Sequence, residues 1–175
     1  MTAGLRRSFF ALLLLASASM PAAACDIVYG DDWAFASEAP KGWISACGDD
    51  AMEGTSLTLW PKDQPAADAD ALIYVTVNDK NPVGLQAFAL DEQARFKQSA
   101  PGASVVVQAV SDAPTKYILV RYSHASGNRE ELVAYMEGPN VYYVFVLTAG
   151  SESVLNKDRP AFLEYLASVI PMDRK

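Results

Sequence analysis

Histidine is almost missing from this chain: His124 is the only one, and cysteine occurs only at Cys25 and Cys47. A zinc site draws on several His or Cys ligands, which one imidazole and two thiols able to bridge each other do not supply. Any Ser-His-Asp or Cys-His mechanism would have to run through His124. Its nearest serine is its chain neighbour Ser123, and adjacent side chains on a strand point to opposite faces, which keeps that hydroxyl from the imidazole. No Gly-x-Ser-x-Gly elbow holds another serine, so His124 reads as a strand-end residue beside a loop. Gly48, Gly54, Gly127 and Gly138 stand alone, with no glycine-rich turn leading into a helix that could cradle phosphate. The carboxylates at Asp31-Asp32, at Asp49-Asp50 and between Asp63 and Asp70 lack the alternation of an EF-hand and read as solvated loops. Glu130-Glu131 and Asp91-Glu92 read as surface charge. The sequence thus offers no catalytic residue, no metal ligand set and no cofactor motif.

Positive charge is also scarce, with 14 Lys and Arg against 21 Asp and Glu and a net charge of −7. Two of the cations, Arg6 and Arg7, open the N-terminus, followed by the apolar run 9–15 and by the small residues 22–24. That order of basic start, short apolar segment and small-residue cut is the pattern of a secretory signal peptide over residues 1–24. The apolar run is well short of the ~20 residues that a permanent membrane helix needs. Removal of the segment takes away two cations and no acid, which leaves a single domain over residues 25–175 with a net charge of −9. Such a surface repels nucleic-acid phosphates and anionic lipid. Export to a periplasmic or secreted location, with no membrane span and no nucleic-acid partner, is the expectation.

The first residue after the expected cut is Cys25, and two readings of it compete. An even cysteine count in an exported chain favours a Cys25–Cys47 disulfide. Alternatively, Cys25 carries the lipid anchor of a lipoprotein, although Ala22 stands where that pattern prefers a Leu-type residue. The two exclude each other.

Along the mature chain, strand signals dominate. Residues 33–37 and 43–46 flank the turn around Pro40 and Gly42 and suggest a short hairpin or a pair of edge strands. Strands follow at 56–60 and 72–77, where alternation and β-branched residues prevail. A helix is expected after an Asn81 cap and Pro82, with Leu85, Phe88, Ala89, Glu92 and Phe96 at helical spacing, closed by Pro101 and Gly102. Four strands come next, at 104–110, 117–124, 130–137 and 141–148, separated by short turns. The first of these turns contains Pro114. Turns this short join antiparallel neighbours, so the last three strands should form a meander. A final helix over 159–170 is expected, capped by Asp158 and stopped by Pro171. The fold class is α+β, a mostly antiparallel sheet covered by helices.

The stretch from Phe35 to Trp43 (FASEAPKGW), the Leu59-Trp60-Pro61 step, Phe96-Lys97 near a helix end and the late strand-strand-strand-helix order resemble the PsbP-like superfamily. The group is named after an extrinsic photosystem subunit and includes a Ran-binding nuclear import factor and small exported bacterial proteins. The resemblance implies an α/β/α sandwich and a non-enzymatic role in binding a partner protein. It brings no catalytic residues, and no Ran-binding or photosystem metal-site residue is matched.

Candidate binding residues come from the composition instead. Arg121 interrupts an apolar strand, where a guanidinium needs a carboxylate on a neighbouring strand or helix, or else a ligand anion. Trp33, Phe35, Trp43 and Tyr135 belong to an aromatic set of the kind that anchors partner interfaces. The expected function is a non-catalytic exported module that binds an envelope or secreted protein. The alternative is a carrier of a small apolar or amphipathic ligand in a cleft between sheet and helices. A hydrolase using His124 comes last.

Overall fold

A computed structural model describes residues 25–80, 82–111 and 115–173. The expected signal peptide, the Asn81 cap and the Pro114 turn lie outside these residues. Seven antiparallel strands form the main sheet in the order β3-β4-β5-β9-β8-β7-β6. These are β3 (Trp43–Cys47), β4 (Leu57–Pro61), β5 (Ala71–Asp79), β6 (Ser104–Ser111), β7 (Tyr117–Ser123), β8 (Glu130–Glu137) and β9 (Val141–Ala149). A second sheet of three strands has the order β1-β2-β10, with β1 Ile27–Tyr29, β2 Trp33–Ala36 and β10 Ile170–Asp173. The expected antiparallel α+β class holds.

The near-continuous apolar runs of β8 and β9 mark strands buried on both faces. Leu132, Ala134 and Met136 with Tyr143, Phe145 and Leu147 face one core, and Val133 and Tyr135 with Tyr142, Val144 and Val146 face another. Helix α1 (Leu85–Ser99) covers the second face with Phe88 and Ala89, while α2 (Glu152–Ser168) covers the first with Leu155, Phe162, Tyr165 and Leu166. The helices therefore sit on opposite sides of the sheet, as in a sandwich. The four-strand meander β6-β7-β8-β9 returns to the middle, where β9 pairs with β5 over nine residues. Gly138 makes the β8–β9 turn possible: a Cβ there would meet the Tyr143 ring at 2.5 Å.

Three expectations are corrected. The segments around Trp33 and Trp43 form neither a hairpin nor a pair of edge strands: β3 is an edge of the large sheet as expected, but β2 is the centre strand of the small one. Helix α1 starts at Leu85, after Gly84 at φ +83°, later than the Pro82 turn suggested. Helix α2 begins seven residues before 159, with Ser151 accepting a hydrogen bond from the Val154 N–H, so Asp158 and Pro160 lie inside it. The helix also ends at Ser168, and Ile170 and Pro171 belong to strand β10. Proline is tolerated there because β10 is an edge strand. Strand β1 had no sequence signal beyond the three residues Ile27-Val28-Tyr29.

Candidate functional site

Arg121 lies on β7 next to β8 and has its partners within the chain. Its guanidinium donates to Glu130 from Nε at 3.2 Å and Nη2 at 3.0 Å, and Nη2 also lies 3.0 Å from Glu152 at the start of α2. Burial works against the charge, but the hydrogen bonds it donates to Glu130 and Glu152, with their negative charges, outweigh it and raise its pKa above the ordinary value. Ser123 donates to the same Glu130 oxygen at 2.6 Å. The cluster fastens β7, β8 and α2 together, which is the structural pairing weighed for a strand arginine. His124 points to the other face, edge-on to Phe96 with ring centroids 5.1 Å apart, and its Nε2 lies 3.8 Å from Glu131. Ser123 and His124 are thus separated by the sheet, and no acyl-transfer pair forms between them.

The aromatic candidates do not converge. Phe35 has no exposed surface and packs edge-on to Tyr143 and Phe145, and Tyr135 is 3% exposed on the α1 side. Trp33 is half-buried, stacked on Phe35 and edge-on to Tyr143. Trp43 is half-buried on the opposite sheet edge, across from Pro61. Cys25 and Cys47 are joined by a disulfide, which ties the start of the small sheet to strand β3 and uses the thiol that acylation would need. Among the described residues no three His, Cys, Asp or Glu side chains gather as a metal site would require, and no helix is long and apolar enough to cross a membrane.

The surface that does stand out comes from residues the sequence reading passed over. In the small sheet, Ile27, Ala36 and Ile170 lie in one cross-strand row and Tyr29, Ala34 and Met172 in the next. Directly paired residues share a face, so one side of this sheet carries six apolar side chains. The other side carries Val28 and Phe35, which belong to the core. On the outer side Ile27 is 56%, Tyr29 66% and Ile170 61% exposed. A hollow of about 620 Å³ runs beside it, between Ile27, Ala36 and Ile170 and the end of α2 at Ala167 and Ser168. The strand ends around the patch bear exposed Asp26, Asp31, Asp32, Glu38 and Asp173. The missed signal was short: three alternating residues at 27–29, and a proline at 171 that reads as a helix stop.

The small sheet is firmly held on its inner side. Tyr143 donates to the Ala34 carbonyl at 2.8 Å, Tyr165 to Ser37 Oγ at 3.3 Å, and the Glu38 N–H to Ser168 Oγ at 2.9 Å. Burial, with the nearby Asp32 charge, pushes the Tyr143 hydroxyl up to about 12. These bonds let a sheet whose outer face is wet stay folded.

No family model and no curated protein matches the chain. Among solved structures, cyanobacterial PsbP (CyanoP) from Synechocystis aligns with a TM-score of 0.54 at 17% identity, over 85% of this chain and 94% of its own. A protein of unknown function from Pseudomonas aeruginosa aligns with a TM-score of 0.48 at 11% identity, over 83% of this chain and 88% of its own. A Bacteroides thetaiotaomicron protein reaches 0.45 at 12% identity, over 81% of this chain and 45% of its own. An antiparallel seven-stranded sheet with a helix on each face, aligned over nearly the whole length of a cyanobacterial PsbP, means that this chain has the PsbP-like fold.

Proposed function

We propose that the chain is exported after loss of residues 1–24 and acts as a non-enzymatic accessory module, binding another envelope or secreted protein through the outer face of its three-stranded sheet. The observation that carries this reading is the row of apolar side chains on that face, centred on Ile27 and Ile170. A wet apolar sheet face costs free energy in isolation, and exposed apolar patches rimmed by polar residues mark interaction surfaces. The rim is acidic, so the complementary partner surface is apolar at its centre and basic at its edge. The same acidity disfavours self-association and binding to anionic lipid. The Cys25–Cys47 disulfide fits an oxidising compartment, and the sharing of one Glu130 oxygen by Arg121 and Ser123 supports a structural role for these residues.

The test compares the disulfide-intact protein with an Ile27→Glu/Ile170→Glu variant as bait in envelope extracts. A partner retained by the first and lost by the second, with unchanged circular dichroism and melting, supports the reading. Equal retention by both moves the interface elsewhere. Mass measurement of the exported protein should find an N-terminus at Cys25 and a mass two hydrogens below the reduced form. A mass that includes residues 1–24 would sink the export part of the reading.

A further inference from the structure

The two faces of the main sheet are not covered alike. On one, α2 and the small sheet together close the core, with Leu155, Phe162, Val28 and Phe35 packed against it. On the other, α1 is the only covering helix among the described residues, and its Phe88 ring meets Tyr135 and Tyr142 on the meander side. A seven-stranded sheet at roughly 4.8 Å per strand is about 30 Å wide, and one helix about 10 Å across covers about a third of it. Strands β3 and β4 and the start of β5 are left with no layer above them.

That open part is apolar. The registers Ile44↔Trp60, Ala46↔Thr58 and Thr58↔Tyr74 put these residues on one face. Leu72, two residues before Tyr74, joins them, while Leu59 and Ile73 between them point into the α2 core. Ile44, Ala46, Trp60 and Leu72 are half-buried rather than sealed. A groove of about 390 Å³ runs over Thr58, Trp60 and Leu72, walled by Asp50, Ala51 and Met52 from the segment after β3 and by Ala66 and Ala67 from the segment before β5. The Met52 N–H donates to Thr58 Oγ1 at 3.0 Å, and the Thr55 and Thr58 hydroxyls meet at 3.1 Å, which holds the first wall against the sheet. Met52 itself is 43% exposed. The walls are acidic: Lys62 is the only cation over residues 48–70, and the exposed Asp49, Asp50, Glu53 and Asp68 form no ion pair among the described residues.

We propose that this open part of the sheet takes an amphipathic helix of another protein, apolar where it meets Ile44, Trp60 and Leu72 and basic along the edges that meet Asp50, Glu53 and Asp68. The surface is a sheet face, whose backbone groups are already paired along the strands. An element laid on it must therefore satisfy its own N–H and C=O groups, as a helix does. The width left open, roughly 14 Å for three strands, fits one helix beside α1. The carboxylates without cation partners set the charge of the helix edges, and a second copy of this chain, with a net charge of −7, is repelled. The groove and the Ile27–Ile170 face lie on opposite sides of the main sheet, so either surface can fail its test without the other.

Three peptides of equal length decide it: a Leu/Lys amphipathic helix, its Leu/Glu counterpart with the same apolar face, and a scrambled Leu/Lys sequence with none. Each is titrated into the disulfide-intact protein by calorimetry and two-dimensional NMR. The Leu/Lys helix should bind saturably and about tenfold more tightly than either of the others, with shifts centred on Ile44, Trp60 and Leu72. Ala67→Lys, at an exposed position of the groove wall, should weaken it about fivefold and leave the melting temperature unchanged. Ile27→Glu, on the outer face of the small sheet, should leave its affinity as it was. Shifts centred on Ile27 and Ile170, equal binding of the scrambled or the Leu/Glu peptide, an unaffected Ala67→Lys variant, or no saturable binding of the Leu/Lys helix would each overturn the proposal.

Discussion

Glu130 has an exposed fraction of only 6% and carries three hydrogen bonds, two from Arg121 and one from Ser123. Removal of one partner from a buried ion pair leaves the other charge without compensation. Arg121→Met should therefore destabilise the protein by about 2 kcal/mol in urea unfolding, discounted from the buried-pair range because Arg121 is partly exposed. Arg121→Met combined with Glu130→Gln should recover part of that loss. Asp158 gives a pH-dependent case. Burial raises its carboxyl above the ordinary value of 3.8, aided by Asp70 and Asp63 and opposed by Lys157. The folded state then holds the proton more tightly than the unfolded chain. Stability is fullest below 3.8 and falls as pH rises through the raised value. Asp158→Asn should accordingly melt higher than the native protein at pH 7, with the advantage gone near pH 3, as thermal scans at both pH values would show. The pairing of Arg121 with a carboxylate was legible from its sequence, because a cation within an apolar strand must find an anion. Which of the many carboxylates it would meet was not.

Helix α2 carries two opposed local signals. Ser151 caps it, with the Val154 N–H bound to Oγ at 3.3 Å, and Ser151→Ala should cost about 1 kcal/mol. In thermal melting that is a drop of roughly 3 °C for a domain of this size. Pro160 removes one internal N–H donor in the helix interior. Pro160→Ala should raise stability by about 1 kcal/mol, less than the full interior penalty because proline also restricts the unfolded chain. Unfolding of the two variants side by side checks both signs. The same two residues explain the misplaced helix start: Asp158 resembles a cap and Pro160 a first-turn residue, so local chemistry favours 159. Burial of Leu155 against the core draws the helix back to Glu152, and capping preferences of about a kilocalorie yield to it. The strands of the meander were legible because short turns leave antiparallel pairing as the only solution. Strand β10 was not, since Pro171 cannot donate to a ladder and only an edge position excuses it.

At the scale of the whole molecule, two sheets must stay together although one is small and wet on its outer side. The Cys25–Cys47 bridge closes a loop with a sequence separation of 22, which stabilises by about 3 kcal/mol in the chain-entropy model. Reduction or Cys47→Ser should lower stability by that amount, and the first amides to lose hydrogen-exchange protection should be those of β1, whose tether is cut. If β1 stays as protected as β9, the disulfide is not what holds the small sheet. Net charge acts at this scale too. A net charge of −7 makes copies of the chain repel one another, and under the proposed function the same charge favours a partner with a basic rim.

The sequence by itself settled the class of architecture and the absence of familiar catalytic motifs, because periodicity, turn residues and residue counts act locally and need no knowledge of neighbours. It also pointed to one cross-link, since only two thiols exist. The tertiary structure alone decided which strands became neighbours, that Trp33 and Trp43 part into different sheets, and that Phe35 is sealed in the core. It also decided that Ile27 and Ile170, 143 positions apart in the chain, meet across Ala36 to form an apolar face. Such pairings depend on which buried surfaces fit together over long loops, a choice set by the packing of the whole core and invisible in any window of the chain.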